Sequence, residues 1–359
     1  MKFGIDGGNG FLKVCLSVQF TDDDASYNEP KGYNRQKYED GVCAKDFKST
    51  GVKKLFILAI SQCTQENYDN VAEIWKILKI NNFIDSVATD LKLANILAGI
   101  QAHSSTYPCT WCEIDRHNLK DCGIYRTFEN VLNNYNAWMK NGSNIKNAKN
   151  FKSCIHLPIL SSDKKSKILD VISPPELHLM IGVISTLIEH MGEEFKELTE
   201  NWISKCDARN TITYGSSGFN GKESKKLLVN VPILRAMCEK ANAFGCMKYV
   251  QVFEDFEEVV DDCFKVELNS KFLQSIEKLQ TSYVDLKISV TPKVDAVFHH
   301  VKDFCSQRKM GLGYYSEQAM ESVHFDFAAM WCNYCVHENH PDYEKRLFRA
   351  IIEYNSSHI

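Results

Sequence analysis

The chain has 359 residues, 44% hydrophobic and 25% charged, which is globular composition and excludes a disordered or fibrous protein. Its net charge of −4 excludes a molecule that is basic overall, so any nucleic-acid contact must use a local patch. The longest purely apolar run, Leu55 to Ile60, falls far short of the roughly 20 residues that span a bilayer, and Asp6 with its flanking glycines interrupts any apolar leader. An intracellular chain with no membrane segment is expected.

Lys2–Asp6 and Phe11–Gln19 are apolar, β-prone stretches separated by Gly7-Gly8-Asn9-Gly10, which predicts a hairpin. Residues 21–51 are polar and read as a long loop. Lys53–Ser61 reads as a buried strand and Phe83–Ala88 as a shorter one. Between them, Val71, Ile74, Trp75 and Leu78 recur at helical spacing over Tyr68–Lys79, and Leu91–Ile100 reads as a second helix. Pro108–Cys122 is polar and loop-rich; Phe128–Met139 places Val131, Leu132, Tyr135 and Trp138 on one helical side. Pro174-Pro175 suits a helix start, and an apolar stripe from Leu177 to Ile188 predicts a long helix over 174–205. Helical patterns continue over 222–245, 252–287, Pro292–Cys305 and Glu317–Trp331. The first third is therefore expected to be mixed α/β and the middle nearly all helical.

Fourteen cysteines in a chain without an export signal predict free thiols rather than disulfides. Cys15, Cys63, Cys154 and Cys263 sit singly in apolar surroundings and read as buried thiols. Two pairs have the C-x-x-C spacing, Cys109/Cys112 and Cys332/Cys335. The second belongs to a compact Cys332, Cys335, His337, His340 group, which is tighter than the usual zinc finger. It falls partly in an amphipathic pattern over Phe325–Val336, where a small-hydrophobe role is expected.

Asp6 ends one predicted strand and Asp90 follows another. In open α/β sheets sites gather beyond strand ends, where two carboxylates can share a divalent ion such as Mg²⁺. Glu321 and Glu317 lie one helical turn apart on a later helix and face one side. Each acid by itself also reads as a solvated or capping residue. Lys140, Lys146, Lys149 and Lys152 fall in a window, residues 130–162, that holds no acidic residue and no arginine. Such a run suits a phosphate backbone, or simply a solvated loop.

Taken in order, these motifs resemble the catalytic core of the V(D)J recombinase and its Transib transposase relatives. The resemblance is carried by Asp6-Gly-Gly, by Asp90 nineteen residues before Cys109, by Tyr107-Pro-Cys-Thr-Trp-Cys112, and by Arg126, Glu129-Asn130, Tyr135 and Trp138. Pro175-Glu176-Leu177-His178, Lys293-Val294, His300 and Glu317 to Glu321 continue it across nearly the whole chain. It implies an α/β RNase H-like core with a large all-helical insertion and a zinc-binding element. Residues 1–104 would form the first part of the core, 105–290 the zinc-binding segment and insertion, and 291–359 the helices that complete both. It further implies Asp6, Asp90 and Glu321 as catalytic ligands of Mg²⁺ or Mn²⁺, with Glu317 the competing third acid. His178 would lie beside the active site, where it could meet DNA; the alternative is a histidine in the first turn of its helix making only a local hydrogen bond.

The family's structural zinc uses two cysteines and two histidines. Cys109, Cys112 and His300 match it. The second histidine falls on Asp295, so a Cys₂-His-Asp site is expected, with neighbouring His299 as an alternative donor. The implied reaction is metal-dependent DNA strand cleavage, with or without subsequent strand transfer, by a homodimer that is nuclear when it acts on chromosomal DNA. Two rival expectations remain. Only five residues precede Asp6, too few for the DNA-binding region transposases carry there, as in a remnant serving as a binding module. The first hairpin also resembles the phosphate loop of actin-like ATPases, but Tyr214-Gly-Ser-Ser-Gly is not preceded by a strand ending in aspartate, as a second such loop requires.

Overall fold

Strands β1 (Lys2–Gly8) and β2 (Phe11–Ser17) form the expected antiparallel hairpin in the computed structural model, with Asp6 opposite Lys13. Residues 2–8, 11–17, 55–62, 65–82, 84–160, 163, 165–209, 211–213 and 216–357 are described, without the side chains of Asn82, residues 211–213, Ser216, Ser217 and Glu321. The loop expected over 21–51, the start of the strand at Lys53, Phe83 and Cys63 lie outside them.

β3 (Leu55–Gln62) pairs antiparallel with β2, and β4 (Ser86–Ala88) pairs parallel with β1, giving the order β3-β2-β1-β4. Ile172 adds an isolated parallel bridge to Val87 beyond β4. The two-residue period of a strand divides β1 between two layers. Phe3 and Ile5 enter the main core. Gly4, by contrast, lies under the Met320 sulfur, and Gly8 lies against the His324 ring.

α1 (Tyr68–Leu78) is capped by Asn67 and buries Val71 and Trp75. α2 (Leu91–Ala98) begins at Asp90, whose carboxylate accepts from the Leu93 N–H at 2.7 Å. It ends at Gly99, which has φ +76° and packs against the His156 carbonyl, leaving no room for a side chain. α3 (Phe128–Lys140) is capped by Thr127 and followed by a 3₁₀ turn, Ile145–Phe151.

The stretch 174–205 is two helices, α4 (Glu176–Glu194) and α5 (Lys196–Lys205), rather than one. The break falls at Phe195, whose ring is turned against Gly245 and edge-on to Tyr249. The expectation of an all-helical insertion needs correction, because β5 (Thr211–Thr213) and β6 (Ser216–Gly218) form a small hairpin within it. The patterns over 222–245 and 252–287 resolve into α6 (Gly221–Val229), α7 (Val231–Lys240), α8 (Phe244–Cys263) and α9 (Phe272–Asp285). Pro232 in the first turn of α7 has no N–H to continue α6.

α10 (Pro292–Asp295) runs through a π-helical segment, Ala296–Val301, into α11 (Lys302–Arg308). α12 (Gln318–Trp331) covers the second layer of the sheet with α13 (Tyr343–Ser356), which sequence reading missed. Cys15, Leu55, Ile57, Met320, Val323, Phe327, Ala350 and Tyr354 form the core there. The helix expected over Phe325–Val336 stops at Trp331. Cys332 and Cys335 are exposed rather than small hydrophobes of a buried face. Among the described residues no helix is long and apolar enough to cross a membrane.

Candidate active site and metal centre

Asp6 and Asp90 each stand two residues beyond the paired positions Gly4 and Ala88 on neighbouring parallel strands. Such strands are about 4.8 Å apart, so both acids leave the sheet at the same end. Asp6 Oδ1 accepts from the Gly7 N–H at 3.0 Å and Oδ2 accepts from His324 Nε2 at 2.8 Å. Burial lifts the Asp90 carboxyl to about 6; the Leu93 N–H and His178 oppose this, while the charges of Asp6 and Glu66 add to it. Lys293 faces the same carboxylate: burial lowers its pKa, and Asp90 works against that.

Glu66 was not picked out in the sequence. It precedes α1 as a lone acid, and only the fold brings it here. Its carboxylate rests on Gly7 where a Cβ would stand, and Oε2 accepts from Lys92 Nζ at 2.6 Å.

Glu317 serves a different purpose from Asp6. Its Oε1 accepts from both the backbone N–H and Nδ1 of His178, each at 3.1 Å. His178 lies in the first turn of α4, whose own N-cap, Pro175, provides no side-chain bond. Glu317 therefore caps α4 from another part of the chain. Its neighbour Ser316 donates to Glu176 at 2.8 Å and accepts Lys2 Nζ through its carbonyl at 2.7 Å. Burial lowers the Lys2 pKa to about 8 against the pull of Glu317 and Glu176. The Glu321 side chain lies outside the described residues. Its backbone follows Met320, which packs on Gly4, and precedes His324 by three positions.

The expected zinc ligands converge. Cys109, Cys112, Asp295 and His300 are buried, and one donor atom from each lies within 4.8 Å of all the others. Cys109 Sγ is 3.1 Å and Asp295 Oδ2 is 3.8 Å from His300 Nε2. Zinc bonds of about 2.0–2.3 Å imply tetrahedral edges of roughly 3.3–3.8 Å, so the donor set fits the ion. Among the described residues neither Asp295 oxygen has a hydrogen-bond donor, although the residue is fully buried. Burial raises its carboxyl to about 7, with His300 opposing.

Local structure explains the convergence. In an α-helix, residues five apart are rotated by about 140° beyond a full turn. The π-helical segment after Asp295 bonds i to i+5 and brings His300 round to the same side. His299 turns away toward the Lys120 carbonyl, 3.3 Å from Nε2, and is not in the donor group. Arg126, fully buried, donates from Nε to the Cys109 and Cys112 carbonyls, 3.1 Å each, and so folds the cysteine turn.

Cys332, Cys335, His337 and His340 form no such group among the described residues. Both histidines accept from backbone N–H groups two residues on, from Asn339 and Asp342. Lys140, Lys146 and Lys149 are exposed, and Lys152 lies over the Tyr107 ring. Lys146 and Lys149 line an open cavity of about 430 Å³ with Arg116, Ser104, Ser105 and Thr106. No protein-family model matches the chain, and no curated protein matches it in sequence.

Proposed function

We propose that the chain is an RNase H-like, DDE-type DNA transposase or recombinase core that cleaves DNA strands and transfers the freed ends. One observation carries the reading: Asp6 and Asp90 sit at one end of adjacent parallel strands in a β3-β2-β1-β4 sheet, with α12 laid across β1. The buried Cys109, Cys112, Asp295 and His300 donors, where the resemblance expects structural zinc, add independent support.

Asp6, Asp90 and Glu321 would hold Mg²⁺ or Mn²⁺, with Glu66 close enough to raise the Asp90 carboxyl. That excess of negative charge suits hard cations with oxygen ligands. When bound, a pair of such ions supplies activation of a water or 3′-hydroxyl and stabilisation of the leaving oxygen. Asp6 is held by Gly7 and His324, while Asp90 stays fixed as the cap of α2. His178 and Lys293 lie beside Asp90, where their N–H groups can meet substrate phosphate. Lys146, Lys149 and Arg116 around the open cavity offer a phosphate-backbone surface, and exposed Lys140 is a further candidate contact. A homodimer fits the same reading.

The test is Mn²⁺-dependent nicking of supercoiled DNA by the purified chain and by D6N, E321Q and E317Q. D6N and E321Q should lose more than a hundredfold in rate. E317Q should keep nicking and lose stability by about 1 kcal/mol, as for a weakened cap. Nicking that survives in D6N refutes the assignment, and a wild-type chain that binds DNA without nicking it is the inactive module.

A further inference from the structure

Lys13 stands directly across the hairpin from Asp6, a register in which side chains lie about 5 Å apart and a lysine can pair with a carboxylate. His324 of α12 is inserted between them. Lys13 Nζ is 2.6 Å from His324 Nδ1, and His324 Nε2 is 2.8 Å from Asp6 Oδ2. The ammonium is held back by the Gly8 carbonyl at 3.4 Å and by the Phe11 and Phe327 rings, each 5.6 Å away. Lys13 is 1% exposed and His324 9%. Gly8 makes room for the imidazole, since a Cβ there would stand 3.0 Å from its Cγ and Nδ1.

The geometry points to His324 and Lys13 as positioning residues that orient Asp6 for a divalent cation while keeping the ammonium off the carboxylate. This rests on the metal-dependent reading of Asp6. An ammonium only donates, so Nδ1 accepts and the ring proton sits on Nε2, where it donates to Oδ2. Gly7 N–H fixes Oδ1. Each oxygen keeps a lone pair for a metal. A lysine paired directly to Asp6 would occupy the cation's place. Partners of this kind behind a ligand are typically worth ten- to a hundredfold in metal affinity.

The experiment is Mn²⁺ binding to the full chain, read by the EPR signal of free Mn²⁺. D6N tests the underlying reading and should abolish the tight site; unchanged binding in D6N removes that reading and this one with it. H324A should weaken binding ten- to a hundredfold. H324Q, whose amide reaches the Nε2 position, should return to within about threefold of wild type, and H324N should not. K13M is the decisive arm. A lysine that acts only as a nearby positive charge would give tighter Mn²⁺ binding when removed, whereas one that locks the tautomer gives weaker binding. Tighter binding in K13M, or wild-type binding in H324A with D6N silent, overturns the proposal and leaves the metal site standing.

Discussion

Removing the Asp295 carboxylate should change stability in opposite directions with and without zinc. In the metal-free protein this fully buried group ionises at about 7 instead of 3.8. The unfolded chain loses that proton at lower pH than the folded chain, so stability falls as pH rises from about 4 to 7 and the full cost is present at pH 8. The difference of about three units corresponds to about 4 kcal/mol. D295A abolishes this cost and opens a small void worth about 1 kcal/mol, leaving the metal-free variant about 3 kcal/mol more stable at pH 8.

With zinc bound the sign reverses. Loss of a ligand should cost at least the hundredfold assigned to outer-shell partners, about 2.7 kcal/mol, and the void adds to it. A chain of 359 residues has an unfolding entropy of about 750 cal/mol/K, so 3–4 kcal/mol moves the melting temperature by roughly 4–5 °C. Thermal unfolding at pH 8, followed by circular dichroism with excess zinc and again after chelation, measures both. Equal differences between D295A and wild type in the two conditions would refute a ligand role for Asp295.

The proton that Asp90 holds below pH 6 must leave when a cation binds, so Mn²⁺ affinity should rise about tenfold per pH unit between 4 and 6 and level off above, by titration calorimetry. In G7A the new methyl group displaces the Glu66 carboxylate. G7A and E66A should therefore lower Mn²⁺ affinity alike, and the double variant should add little to either. K146A/K149A should weaken DNA binding and reduce the slope of log affinity against log salt by about 2, if each lysine meets one phosphate, with nicking at saturating DNA unchanged.

The hairpin was legible because Gly7-Gly8-Asn9-Gly10 separates two β-prone runs, and Asp90 because a capping acid follows an apolar strand. Of the possible metal donors, Cys109 and Cys112 were legible from their spacing, but Asp295 and His300 only through resemblance, since their spacing points them apart on an α-helix and the π-helical segment leaves no plain mark in sequence. Glu66 and His324 had no local signal. Glu66 is defined by Gly7 and Lys92, and His324 by Lys13, 311 positions away. α13 did carry one: Leu347, Ala350, Ile351 and Tyr354 recur at three and four among charged residues. The break at Phe195 follows its tertiary contact with Gly245, whereas the one after Val229 follows Pro232, a breaker that hydrophobic periodicity overrode.

The buried Cys109, Cys112, Asp295 and His300 group also bears on how the long helical region between Cys112 and Asp295 can leave Asp6 and Asp90 undisturbed. Asp90 begins α2, and the Cys109–Cys112 turn lies shortly beyond its end. His300 lies in the helical run that leads to Glu317 and α12. Cys109 and His300 are 191 positions apart, and α4 to α9 hang between them. Closing so long a loop costs about 5 kcal/mol in chain entropy. A structural zinc supplies about 10–16 kcal/mol in small domains, more than enough to pin both ends. A structural zinc would then fix α12 against β1 more than α4 to α9 do, because Met320, Val323 and Phe327 of α12 pack in a buried cluster with Cys15, Leu55 and Ile57 that is separate from the main core holding Phe253, Phe256 and Val259 of α8. After chelation, amide exchange should accelerate first in α12 and in the Cys109–Tyr125 segment while α8 stays protected. Simultaneous loss of protection in α8 and α12 would mean that the helices α4 to α9, not a metal, hold α12 in place.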